Sequence, residues 1–292
     1  MNLPATSDVL SNEDLSFWEA NGYVIVPNAV PQANLDAMIQ TIWDFLEVDG
    51  DDPEQWFHHP PRGRDGLPES PISLAGMVEV YQRQALWDNR QYPRVYEAFR
   101  QILDEEHLWV SLDRANMKPP ANPDSPEWDH PGMIHWDVDT SQDPIPFGVQ
   151  GVLYLTDTSV DQGGFQCVPG FHRTFEDWVK TQPDDRNPRQ PDLDGLTVEA
   201  IAGKAGDLLI WHRLLAHGNG RNTADRPRLA QYITMSPANY DDEAMREERV
   251  TAWRECRPGP RWPGDPRRRE ERQGERAELT ELGRKLLGVE VW

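Results

Sequence analysis

Cysteine is scarce in this chain: Cys167 and Cys256 are the two in 292 residues, and they form no C-x-x-C pair. That excludes a disulfide framework and a cysteine-rich zinc site, leaving two small, partly buried thiols in a reducing compartment as the expectation. Long apolar runs are missing as well. No segment approaches the roughly 20 apolar residues that a membrane-spanning helix needs. The opening Met1-Asn2-Leu3-Pro4 has no basic stretch followed by an apolar one, so a cytoplasmic protein with no membrane association is expected. Positive charge is short too: 29 Lys and Arg stand against 50 Asp and Glu, a formal net charge of −21. Such a balance repels phosphate backbones and argues against a nucleic-acid partner. What is present suffices for a core, with 37% hydrophobic residues and twelve Trp. No internal repeat is visible, and one domain over 1–292 is expected.

Apolar spacing divides that domain into three parts. The first, about 1–106, is helical in pattern. Within it Asn21-Gly22 separates a short helix from the strand Tyr23-Val24-Ile25-Val26. Pro31 can open a helix whose Leu35, Met38, Ile39, Ile42, Phe45 and Leu46 share one face. Residues 49–73 read as an irregular connection in which His58 and His59 face solvent or substrate, and 74–105 as helix interrupted at Tyr92-Pro93. The second part, about 107–237, reads as strands at 107–118, 147–156, 165–168, 197–201, 208–212 and 228–235. A charged helical extension, about 238–292, is broken by a Pro/Arg-rich run over 257–269. The fold predicted is mainly β with flanking helices, of the sandwich or jelly-roll type.

His135-Trp136-Asp137 is the single H-x-D of the sequence. In a strand, residues i and i+2 point to one side and can reach one metal. With His217 they make two imidazoles and one carboxylate, a set that occupies one face of an octahedral iron(II). Three positions stay open for a cosubstrate and O2. A 2-oxo acid fills two of them, and its far carboxylate then needs a fixed cation. Arg228, eleven residues after His217 and preceded by Pro227, offers a planar and permanently charged guanidinium. The same residues also suit a zinc hydrolase with one bound water, or a catalytically inactive jelly-roll small-molecule-binding protein.

Further motifs flank this set: Phe17-Trp18-Glu19-Ala20-Asn21-Gly22-Tyr23, Met117-Lys118-Pro119-Pro120, Gly163-Gly164 leading to Val168-Pro169-Gly170-Phe171-His172, Gly206-Asp207, and His217-Gly218-Asn219-Gly220 with Asn222. In this order and spacing, up to about Pro237, the sequence resembles the phytanoyl-CoA dioxygenase (PhyH-like) family of Fe(II)/2-oxoglutarate-dependent oxygenases. The resemblance implies a double-stranded β-helix (jelly-roll, cupin-like) core, with His135, Asp137 and His217 as iron ligands and Arg228 on the 5-carboxylate of 2-oxoglutarate. It also implies that Asn116 and Trp136 line the cosubstrate site. Two residues after the distal His the family often has Ser; here Asn219 stands there, whose amide can still donate a hydrogen bond. A carboxylate at 137, where related halogenases have Gly or Ala, points to hydroxylation with release of succinate and CO2.

The prime substrate implied is a small organic molecule of unspecified identity, with Arg114 and Gln150 among its contacts and side chains from 56–90 around the entrance. The phosphates of a coenzyme A thioester sit poorly with a net charge of −21. Arg257, Arg261, Arg267, Arg268 and Arg269 could reverse that locally, but their many Glu neighbours favour pairing within the chain.

Overall fold

The computed structural model describes residues 8–57, 76–260 and 262–292, so His58 and His59 lie outside the described residues. Helix α1 (Asn12–Asn21) starts at a reciprocal cap, in which the Ser11 hydroxyl accepts from the Asp14 N–H while the Asp14 carboxylate accepts from the Ser11 N–H. It stops at Gly22, whose φ of +77° favours glycine, and strand β1 (Tyr23–Val26) follows. A Cβ at 22 would lie 2.4 Å from the His172 ring, so this turn also requires close approach. Helix α2 (Gln32–Leu46) begins after Pro31 and buries Leu35, Met38, Ile42, Phe45 and Leu46, the face its spacing predicts.

The chain then differs from the expected run of helix over 74–105. Residues Met77–Val78 form a short strand, β2, before helices α3 (Gln84–Arg90) and α4 (Pro93–Leu103). The strand expected over 107–118 is two, β3 (Leu108–Val110) and β4 (Ala115–Lys118). Strands β5 (Val149–Tyr154) and β6 (Phe165–Cys167) come next, then helix α5 (Phe171–Val179). Strands β7 (Glu199–Ala200), β8 (Leu208–His212) and β9 (His217–Asn219) follow. The strand expected over 228–235 is likewise two, β10 (Arg228–Tyr232) and β11 (Met235–Pro237). The two breaks have one cause. Where β3 leads to β4 and β10 to β11, both chains cross between sheets together, held by the Ser111 N–H on the Thr234 carbonyl and the Thr234 N–H on the Ser111 hydroxyl. The pairing slips by one residue there, Val110 facing Met235 but Ala115 facing Gln231, so the core-facing residues change from Leu108, Val110 and Leu112 to Ala115 and Met117.

The sheets are antiparallel: a six-stranded one in the order β1-β8-β5-β10-β4-β2, a three-stranded β7-β6-β9, and the pair β11-β3. The large sheet is buried on both faces. Leu208 and Ile210 of β8 join Val24, Leu35, Met38 and Phe99 in a core under the helices. Leu209 and Trp211 join Phe165 of the small sheet, Phe171 and Ala230 in a second core between sheets. That double burial is why β8 reads as an unbroken apolar run.

Helices α6 (Glu243–Arg254), α7 (Arg269–Gln273) and α8 (Glu281–Leu287) close the chain, and Val250, Ala252, Leu282, Leu286 and Leu287 extend the helical-side core. Of the Arg-rich run, Arg261 lies outside the described residues and the other four are paired within the chain: Arg267 with Asp265 at 3.0 Å, Arg269 with Glu47 at 3.3 Å, Arg257 with Glu255 at 3.2 Å, and Arg268 with Glu271. Both cysteines are free and buried. Among the described residues no helix is long and apolar enough to cross a membrane.

Candidate metal centre

The H-x-D does not lie in a strand, as the spacing predicts; His135 makes one bridge to His217 and the chain then bends. The bridge is reciprocal, with the His135 N–H on the His217 carbonyl at 2.8 Å and the His217 N–H on the His135 carbonyl at 3.2 Å. In place of a ladder, the loop over 183–190 satisfies the next backbone groups. The Trp136 N–H donates to the Arg189 carbonyl at 2.9 Å, and Arg189 Nη1 donates to the Asp137 carbonyl at 3.0 Å. Each imidazole has Nδ1 against a main-chain carbonyl, Met133 O at 3.2 Å for His135 and Leu215 O at 2.8 Å for His217. With Nδ1 engaged there, Nε2 is the atom that each ring turns to the Asp137 carboxylate here and can offer to a metal. Both Nε2 atoms face one carboxylate, His135 to Asp137 Oδ1 and His217 to Asp137 Oδ2, each at 3.4 Å. The three ligand atoms lie within 4.8 Å of one another, a group that could hold a metal ion. Burial pushes the Asp137 carboxyl up, but hydrogen bonds with His135, His217 and Gln150 outweigh it and hold it far below the usual carboxylate range. Asp137 is therefore anionic and fit to ligate a hard divalent cation.

Across the sheet from this group, Arg228 is fully buried. Its Nη1 donates to Asn116 Oδ1 at 2.9 Å, while Nε and Nη2 have no hydrogen-bond partner among the described residues. A buried cation with two unmet donors is costly unless an anion comes to it. Its cross-strand neighbour on β4 is Lys118, also buried, whose Nζ donates to the His130 carbonyl at 3.0 Å and to the Gly220 carbonyl. Burial, with Arg228 beside it, lowers the Lys118 pKa to about 8. The unfolded chain then binds this proton more tightly than the folded one, so the contribution of Lys118 to stability rises with pH between about 8 and 10.5. Denaturation across that window should show wild type gaining on the order of 2 kcal/mol relative to Lys118→Met. Parallel curves would refute the coupling.

A model of the phytanoyl-CoA dioxygenase (PhyH) family matches residues 18–230. The chain belongs to this family. It is an iron- and 2-oxoglutarate-dependent dioxygenase. It is similar to a putative phytanoyl-CoA dioxygenase of Dictyostelium discoideum, 23% identical over 264 residues that cover 76% of this chain and 74% of that protein. It is also similar to an ectoine dioxygenase of Halomonas elongata, 26% identical over 234 residues, covering 75% and 68%. Its fold is shared with the solved structure of the epimerase SnoN in complex with Fe3+, alpha ketoglutarate and nogalamycin RO. That match has a TM-score of 0.53 at 17% identity, over 77% of this chain and 83% of the other.

Against this family background, the remaining residues singled out in the sequence are placed unevenly. Asn116 is buried and bonded to Arg228. Trp136 is turned away from the carboxylate side of the centre: its ring packs on Phe171, Phe175 and Trp178, and its Nε1–H donates to the Leu214 carbonyl at 3.0 Å. An indole between two pointing ligands must project to the opposite side, into the core between the sheets. Asn219 gives its Nδ2 to the Tyr232 hydroxyl at 3.0 Å. Arg114 sits in a buried charged cluster, 3.7 Å from Glu79, 3.8 Å from Asp113 and stacked over Trp262. Gln150, expected at the substrate, donates to Asp137 Oδ2 at 2.6 Å. His172 contacts the Glu19 carbonyl at 3.2 Å. Sequence reasoning gave no site role to Lys118, Arg189 or Tyr232. For Lys118 a signal existed, since a Lys two positions along a strand from Asn116 shares its face.

Proposed function

We propose that His135, Asp137 and His217 hold Fe(II), and that Arg228, with Asn116 orienting it, binds the 5-carboxylate of 2-oxoglutarate. Bound there, iron and the oxo acid supply O2 activation for hydroxylation of a C–H bond, with release of succinate and CO2. The chain's own part is to position and shield: the imidazoles are fixed through Nδ1, the carboxylate stays anionic, and Arg228 meets a planar anion with two parallel donors. The two facing sheets with the site between them support a double-stranded β-helix core. We take the whole chain as one oxygenase domain acting on a small organic molecule in the cytoplasm.

One observation carries this reading: Arg228 is buried with Nε and Nη2 unpartnered among the described residues. A zinc hydrolase using the same three ligands leaves that cation without a purpose. The test is anaerobic titration of apo-protein with iron(II) and then 2-oxoglutarate, followed by admission of O2. A weak visible charge-transfer band, and succinate formed after O2, are the expected results. Folded, iron-loaded protein that gives neither would refute the proposal.

A further inference from the structure

We infer that Gln150 is the positioning residue of the metal centre, its amide setting the Asp137 carboxylate for ligation through one oxygen. This rests on the proposed ligand assignment. The three ligands are not secured alike. His135 and His217 each have two fixings, the reciprocal backbone bridge and an Nδ1 contact to a carbonyl. Asp137 lies beyond that bridge, in a bend, with its side chain 53% exposed. Arg189 holds its carbonyl, which leaves both side-chain torsions free. Apart from the two imidazoles, Gln150 is the sole described residue that meets its carboxylate.

The base of that contact is stiff. Gln150 stands on β5, between β8 and β10, with Trp211 as its cross-strand partner. A carboxylate accepts and cannot donate, so the amide nitrogen must face it at 2.6 Å. The other end of the amide reports what that orientation costs. Gln150 Oε1 is buried without a partner among the described residues. A glutamine retained for packing would have both ends satisfied or be replaced by an apolar side chain. A donor on Oδ2 leaves Oδ1 to the metal. It also keeps the carboxylate from chelating through both oxygens, which would occupy a position that cosubstrate or O2 needs.

The test is anaerobic Co(II) binding, read by visible absorption and needing no turnover. The proteins are wild type, Gln150→Leu, Gln150→Met, Asp137→Ala and the Gln150→Leu/Asp137→Ala double variant. Both Gln150 substitutions should weaken Co(II) binding about 10-fold or more and alter the ligand-field spectrum, with unliganded melting temperatures close to wild type. In the Asp137→Ala background Gln150→Leu should add nothing, because the amide acts through that carboxylate. Equal weakening in both backgrounds, or wild-type affinity and spectrum in the single variants, would overturn the inference. Wild type that binds no Co(II) would instead refute the ligand assignment itself.

Discussion

Replacing Arg228 with Met is expected to raise the 2-oxoglutarate concentration for half-saturation by about 100-fold or more, while iron binding and folding persist. Two parallel charge-assisted hydrogen bonds in a site shielded from water are worth roughly 3 kcal/mol, and 1.4 kcal/mol is a factor of ten. The stability change should carry the opposite sign. The wild-type guanidinium is fully buried, bonded through Nη1 to Asn116 and otherwise unpartnered among the described residues, so the apo-protein bears its desolvation without a counter-charge. Methionine removes that cost and forfeits one neutral-acceptor bond. The melting temperature of the unliganded variant should therefore be no lower than that of wild type, and the stabilisation that 2-oxoglutarate confers should vanish. A variant that loses stability yet keeps its 2-oxoglutarate affinity would assign Arg228 a purely structural part.

The parts of this centre legible in the sequence are those whose chemistry fixes residue type and spacing together. Metal ligation admits few side chains, so His135, Asp137 and His217 could be singled out, and the structure brings them together. Arg228 followed because a dicarboxylate needs a fixed cation, and its burial without a carboxylate partner is what such a site requires. Roles set by cross-strand register were not legible. Nothing in the local sequence around Gln150 tells that it reaches Asp137, because that depends on how β5 lies beside the bend after His135. Lys118 is similar: its neighbour Arg228 is far away in sequence and adjacent only through the β10–β4 pairing. The fold shows the same division. Helix α2 and strands β1, β5 and β8 follow from periodicity and turn residues. The paired breaks that separate β3 from β4 and β10 from β11 do not, since the one-residue slip between them exists only in the pairing, Val110 with Met235 but Ala115 with Gln231.

The second large effect is expected at Gly218, between a proposed metal ligand and Asn219. A Cβ built there would lie 1.9 Å from the Met133 carbonyl oxygen, an overlap with backbone that no rotamer change can relieve. Met133 is two residues before His135, and its carbonyl also receives the His135 Nδ1 contact. Gly218→Ala must therefore push the segment carrying His135 and Asp137 away from β9, against the reciprocal bridge at 2.8 and 3.2 Å. The core under the helices draws on other elements and should hold, so the cost in stability is about 1–3 kcal/mol, that of an overpacked site. Metal binding should fare far worse. Ligands must be placed to within a few tenths of an ångström, and a shift of one past the other lowers Fe(II) affinity by about 100-fold or more. Gly220→Ala is the control, because the nearest atom to its Cβ is the Gln166 side-chain oxygen at 3.3 Å, which can give way. Fe(II) titration and chemical denaturation of both variants decide the matter. If Gly218→Ala binds iron as wild type does, the close approach of β9 to the Met133–His135 segment is not what holds the two imidazoles at one metal.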